Sequence, residues 1–227
     1  MTWETAPYKG EPPAPRSGHS MVTIGTKSFL FGGTGRKDGK AAVFGDLFEL
    51  DINNAELFSF NQLNPAGPTP TPRTRHTCTV LGKKHFLVFG GLNHRTRFND
   101  VWIYDTGHKT WTEVKPEGEA PSVRAHHSAT IVDGKLYVFG GYGGHGKSCC
   151  DLFVLDFGGY FDAEDETPMS WSQPNLKGKF PTPRFDHSCA TFPGKFIVFG
   201  GRDNGTMFKD MVTLDLTSMT WVEDPTE

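Results

Sequence analysis

The chain has 227 residues, of which 36% are hydrophobic and 22% charged. That is long enough to bury one core and close to the upper limit for one compact domain. Its 27 glycines and 16 prolines interrupt element interiors, which excludes long helices and leaves short strands joined by frequent turns. A formal charge of −3 and a pI near 6.3 lack the basic excess of a phosphate-backbone binder, so nucleic acid is not an expected partner.

No apolar run approaches the roughly 20 residues needed to span a bilayer, and the opening MTWETAPYKG has neither a basic start nor an apolar segment. The expectation is a soluble, cytoplasmic protein with no membrane partner. Cys78, Cys149, Cys150 and Cys189 are too few for a disulfide scaffold and show no C-x-x-C spacing, so reduced thiols are expected.

The chain repeats itself. Arg16 and His19, Arg73 and His76, Arg124 and His127, and Arg184 and His187 share one spacing. After each pair comes Phe-Gly-Gly, at Phe31–Gly33, Phe89–Gly91, Phe139–Gly141 and Phe199–Gly201. A strand bracketed by two Asp follows: DLFELD from Asp46, DVWIYD from Asp100, DLFVLD from Asp151 and DMVTLD from Asp210. Trp3, Phe60, Trp111 and Trp171 each precede the next repeated Arg by 13 residues, a register that selects Phe60 rather than Phe58 as the stand-in for Trp; Trp221 ends the series.

In chain order, residues 1–13 are expected to supply, through Trp3, the fourth strand of a preceding unit. Four units then span about 14–60, 71–112, 122–172 and 182–222 of one domain, 1–227. Each unit predicts a strand after the His, a strand ending at the glycine pair, the Asp-bracketed strand and the aromatic strand. These runs alternate or stay apolar over a few residues between turn formers, the pattern of a four-stranded antiparallel meander. A period of 50 to 60 residues suits a propeller blade.

In its Phe-Gly-Gly, Asp-bracketed strand and spaced Trp, nearly the whole chain resembles the Kelch-repeat family. Phe60 in place of Trp, and Val123 in place of the Pro found before Arg in the other repeats, are the departures. The resemblance implies an all-β fold, a Kelch-type β-propeller of four-stranded blades with four repeats present, either a self-contained ring or part of a longer propeller. It also implies a protein-interaction module.

The residues carry physical expectations of their own. Glycine pairs end the second strand because only Gly enters positive φ without steric cost. Trp111, Trp171 and Trp221 bring apolar area to the seam between sheets. Each repeated Arg is expected to pair with the first Asp of its strand, since a buried charge must be paired and hydrogen-bonded. The repeated His reads as a hydrogen-bonding residue beside Ser20, Thr77, Ser128 and Ser188, against the alternative of a metal held at the axis. Cys78 and Cys189 read as small core fillers; Cys149 and Cys150 stand adjacent in a loop.

Function is expected on the loops between the second and third strands, where the resemblance places partner binding. Arg36, Lys37, Asn93, His94, Arg95, Arg97, Tyr142, His145, Arg202 and Asn204 lie there, and Arg75, one residue before the repeated His, matches a position that often presents a ligand-contacting side chain. Arg75, Arg95, Arg97 and Arg202 are expected to share one positive surface for an acidic or phosphorylated peptide. The segment 157–170, with Asp162, Glu164, Asp165 and Glu166, is an acidic insertion on the opposite face.

No nucleophile-elbow, Walker, Rossmann or zincin motif is present, so no enzymatic activity and no cofactor are expected. Two alternatives remain: a small-molecule enzyme with a metal at the propeller axis, and a structural segment of a larger Kelch protein such as a Kelch phosphatase. Open edges would favour self-association.

Overall fold

A computed structural model of the protein describes residues 5–54, 57–143, 146–160 and 167–223. Trp3, His145 and the acidic residues from Asp162 to Glu166 lie outside the described residues. All regular structure among them is β. The chain forms two compact units, one of Met1–Thr96 and Asp100–Val114, the other of Arg97–Asn99 and Lys115–Glu227.

Each unit holds two repeats, and each repeat is an antiparallel meander. In the first unit the strands are Ser20–Ile24, Lys27–Phe31, Leu47–Asp51 and Phe58–Leu63, then Thr77–Leu81, His85–Phe89, Val101–Asp105 and Thr110–Val114. In the second they are Ser128–Val132, Lys135–Gly143, Ser148–Asp156 and Ser170–Ser172, then Ser188–Phe192, Lys195–Phe199, Met211–Asp215 and Thr220–Glu223. The register confirms Phe60 as the Trp equivalent: Leu50 pairs with Phe60 as Tyr104 does with Trp111, Leu155 with Trp171 and Leu214 with Trp221.

The core lies between consecutive blades. Phe29, Phe31 and Leu47 of the first repeat bury against Phe86, Val88, Trp102, Tyr104 and Trp111 of the second. The second unit repeats the arrangement: Tyr137, Phe139, Leu152 and Val154 meet Phe196, Val198, Val212, Leu214 and Trp221. Cys78 and Cys189 sit beside these clusters as small fillers, and burial pushes the Cys78 thiol up to about 12. Cys149 and Cys150, expected in a loop, lie within the long third strand of the third repeat; its hairpin extends the ladder past the glycine pair, and burial raises both thiols.

The repeated Arg is the buried centre of each blade. Arg73, Arg124 and Arg184 are fully buried, and Arg16 nearly so. Each makes a two-pronged pair with the first Asp of its own repeat, Asp46, Asp100, Asp151 or Asp210, at 2.5 to 2.9 Å. Nη1 also donates to the carbonyl of the first glycine of the pair, and Nε to the carbonyl two residues upstream. The pairs therefore lie within blades. The second Asp of each strand does something different, since Asp51, Asp105, Asp156 and Asp215 accept backbone N–H groups of the following turn.

The repeated His ties one blade to the one before it. His76 Nε2 is 2.6 Å from Ser20 Oγ, and His187 Nε2 is 2.8 Å from Ser128 Oγ. The hydroxyl partner thus belongs to the preceding repeat. Burial, reinforced by the charge of Arg73, lowers His76 to about 3; burial and Arg184 lower His187 to about 4. Both rings are thus held neutral with Nε2 engaged by serine, and no cluster of three or more potential metal-ligand side chains occurs among the described residues.

The N-terminal lead shows how successive repeats are knitted. Tyr8–Lys9 runs parallel to Phe58–Ser59, on the outer edge of the first sheet, and Lys177–Gly178 runs parallel to Thr220–Trp221 on the fourth. Single bridges from Ala66 to Thr110 and from Glu117 to Ser170 repeat the geometry. Short parallel pairings with the incoming chain thus lie along the outer strand of each repeat.

All eight glycines of the four pairs have φ between 61° and 101°. The second one also faces its own repeat's His: a Cβ on Gly91 would lie 2.7 Å from His76 Cβ. Gly91→Val should lower stability by about 3 kcal/mol, through strained φ and this clash, as read by urea denaturation. An unchanged midpoint would show that neither matters.

His76 and His187 are neutral in the folded chain but regain the ordinary value of 6.5 when unfolded. Below that pH the unfolded state binds more protons, so their contribution is full above 6.5 and is lost as pH falls toward 4 and 3. The chain should lose stability across this window, and His76→Gln should show a shallower loss. Equal pH slopes in chemical denaturation would contradict the assignment.

Candidate functional site

The connections between second and third strands are structured hairpins. In the first repeat Thr34–Lys37 and Lys40–Val43 pair through Asp38 and Gly39, both at positive φ, and Arg16–Ser17 joins them as a third strand. In the fourth repeat Arg202–Asp203 pairs with Thr206–Met207 around Asn204 and Gly205, again both at positive φ. Asp-Gly and Asn-Gly are the dipeptides that such two-residue turns demand, so Asn204, expected as a binding residue, also has a structural reason to be there. The second repeat uses a side chain instead: Asn93 Oδ1 accepts from Arg95 N and Thr96 N.

In the first unit these elements frame a groove of about 310 Å³ lined by Val43, Pro72, Asn93, His94, Arg95 and Thr96. His94 and Arg95 are exposed beside it. Arg36 and Lys37 stand exposed on the hairpin whose far strand ends at Val43. Arg75 is exposed at φ 59°, its N–H bonded to Gly18 O and its side chain lying over Gly18. Gly18, Arg75, His126 and Asp186 occupy one repeat position, two after the Arg, and all four have positive φ.

In the second unit a different chemistry prevails. The Arg97 guanidinium lies 5.0 Å over the Tyr142 ring, which is 5.2 Å from Phe185, and Arg202 lies 4.8 Å over the other partner ring, Phe185. Arg202 also pairs with Asp186 through Nε at 2.9 Å and Nη2 at 2.7 Å, and His126 Nδ1 is 2.5 Å from the second Asp186 oxygen. Burial would raise the Asp186 carboxyl, but the hydrogen bonds and charges of His126 and Arg202 outweigh it and hold it low. Asp203, beside the exposed Asn204, accepts from Ser148 Oγ at 2.6 Å.

Of the anticipated residues, Asn93, His94 and Arg95 line one groove in the first unit, which also carries Arg75 over Gly18 and Arg36 and Lys37 on the first repeat's hairpin, whereas Arg97, Tyr142, Arg202 and Asn204 belong to the second. The expectation of four comparable arginines does not fit their surroundings: Arg97 is stacked with a buried Nε, and Arg202 is neutralised by Asp186. His126, Phe185 and Asp186 are site residues that the sequence did not single out. The position that selects Arg75 finds His126 and Asp186 as well when it is followed through every repeat.

Four-stranded blades, each held internally by an Arg–Asp pair and stitched to its neighbour within each unit by His and Gly contacts, define a repeat protein of the blade class. The KLHDC2/KLHL20/DRC7 Kelch-repeats domain matches residues 1–158 and again 114–227, and the chain belongs to the Kelch-repeat family. Over 229 residues it is 43% identical to the "Dynein alpha chain, flagellar outer arm" of Chlamydomonas reinhardtii, covering 96% of this chain and 5% of that protein. It is 30% identical to the "Host cell factor" of Drosophila melanogaster, over 87% of this chain and 14% of the relative. Bos taurus "Kelch domain-containing protein 2" is 29% identical, over 93% of this chain and 56% of the relative. The chain spans little more than half of the last protein and far less of the other two. Kelch repeats are generally a non-enzymatic protein-interaction fold.

Arg95→Glu should leave stability within about 0.5 kcal/mol of wild type, since it removes an exposed charge. Arg97→Glu should cost about 1 to 2 kcal/mol, because it removes the guanidinium stacked on Tyr142. Equal thermal shifts in the two variants would refute this division.

Proposed function

We propose that this chain is a non-catalytic interaction module that holds an acidic or phosphorylated peptide on the hairpin face of its first unit. The observation that carries the reading is the groove walled by Val43, Pro72 and Asn93, with His94 and Arg95 exposed on its lining. Hairpin and Asx-turn geometry fixes its backbone walls, so a bound peptide would not have to order them. An arginine beside such a groove offers bidentate recognition of carboxylate or phosphate, and the charge of Arg36 and Lys37 would raise the encounter rate.

The metal-enzyme alternative would need the repeated histidines as ligands, and His76 and His187 already use Nε2 on serine. The repeats occupy a small part of the dynein chain and the host cell factor, which supports a module that brings partner binding to a larger protein. Four free thiols support a cytoplasmic setting.

Fluorescence anisotropy with a labelled oligoglutamate, its phosphoserine counterpart and a neutral control tests the reading. The acidic probes should bind and the neutral one should not, with affinity falling as salt rises. Joint Lys37→Glu and Arg95→Glu should weaken binding about tenfold or more, at least ~1.4 kcal/mol. Equal affinity in the double variant would place the site elsewhere.

A further inference from the structure

Two junctions between consecutive blades have the same parts. From the first repeat to the second, the Phe31 ring is 5.3 Å from His76 and 5.2 Å from Trp111. Ser20 meets His76, Gly33 N donates to Arg73 O at 2.8 Å, and Arg73 N donates to Phe44 O at 3.1 Å. From the third to the fourth, Phe139 is 5.3 Å from both His187 and Trp221. Ser128 meets His187, Gly141 N donates to Arg184 O at 2.9 Å, and Arg184 N donates to Cys149 O at 3.0 Å. One blade thus supplies a Phe, a Ser, a glycine N–H and a carbonyl; the next supplies a His, a fourth-strand aromatic and the Arg backbone.

The fourth repeat carries the first set at Phe199, Ser188, Gly201 and Phe208. Its apolar members are open. Phe199 is 56% exposed, whereas Phe31, Phe89 and Phe139 are at most 1% exposed; Met211 is 42% exposed, whereas Leu47, Val101 and Leu152 are at most 2%. Phe192 adds a third exposed apolar side chain on the same sheet, and Ser188 is exposed too. A continuous apolar face of this kind marks an interaction surface.

The second set stands on the first repeat, at His19, Phe60 and the backbone of Arg16. Met21 is 48% exposed at the position where Cys78 and Cys189 hydrogen-bond Ser20 and Ser128 of the preceding blade. His19 is exposed as well, while Phe60 is half-buried with the Tyr8 ring 5.5 Å from it. Both halves of the native junction are therefore present on one chain.

We propose that the open face of the fourth repeat docks the first repeat of a second copy of this chain, head to tail. His19 of the second copy would meet Ser188, its Met21 would lie beside that contact, and its Phe60 would cover Phe199. Ser28 stands where Phe86, Leu136 and Phe196 stand in the other repeats, and Phe60 replaces a Trp, so the contact has less apolar area than an internal junction. It is accordingly a reversible, concentration-dependent association. Being heterologous, it uses two different faces of each copy.

Sedimentation velocity over a concentration series reaching about 100 µM provides the test. The wild-type chain should shift to dimers and longer species as concentration rises. Phe199→Asp blocks one face and Met21→Asp the other, so each variant alone should remain monomeric, with a melting temperature like that of wild type because both side chains are exposed. Mixed in equal amounts, the two variants should form a dimer and nothing larger, since one intact face remains on each. A wild-type chain that is monomeric throughout, whether its faces stay open or close on each other, would overturn the proposal. Variants that still associate alone, or that fail to pair when mixed, would overturn it as well.

Discussion

A guanidinium sealed from water is tolerable only when its donors are taken, and that requirement organises every blade. The repeated Arg directs Nε to its own upstream carbonyl, Nη1 to the first glycine and Nη2 to the first Asp. In Arg124 the remaining Nη2 donor reaches Ser122 Oγ at 3.2 Å. Three segments distant in sequence are thereby fixed around one planar group: the incoming loop, the end of the second strand and the start of the third. Aromatic rings close the guanidinium faces, as Phe44 does for Arg16 at 4.1 Å and Phe208 does for Arg184 at 4.5 Å. Because the side chain holds its own blade, the Arg backbone is left to stitch that blade to its neighbour.

The same division of labour separates scaffold from site. Residues that serve the guanidinium recur with little change, while the hairpins beyond the glycine pair differ in every repeat. The first unit leaves its cations exposed around a groove. The second commits its own to rings and to Asp186. Identical frames thus present opposite surface chemistry, and only residues outside the repeated set decide which.

The frame was legible in the sequence because its constraints are periodic. Arg-to-Asp pairing, the glycine conformations and the Phe60 register all follow from spacing, and the structure bears them out. The site was less legible because proximity there arises between segments far apart in sequence. Arg97 and Arg202 count as loop cations until Tyr142, Phe185 and Asp186 are brought against them. The loop expected at Cys149 and Cys150 is absent for a related reason: a glycine pair signals a strand end, whereas in the third repeat the two glycines form an irregularity within a longer hairpin. A further periodic signal lies in the glycines ahead of each repeat. Gly10, Gly67, Gly118 and Gly178 each precede the repeated Arg by six residues and share φ values of 78° to 83°.

Those four glycines show what the knitting strands mean for the unit of inheritance. At Gly118 and Gly178 a Cβ would lie 2.4 Å from the carbonyl of Trp171 or Trp221, so the incoming chain can hug the outer strand only as glycine. The segment that closes a blade's outer border thus precedes that blade's first strand and follows the last strand of the blade before it. A duplication copied from Arg to Trp would deliver a blade with one raw border. A duplication that begins two residues ahead of the glycine delivers the blade together with its own selvedge, and the chain can then lengthen by whole copies without exposing a seam.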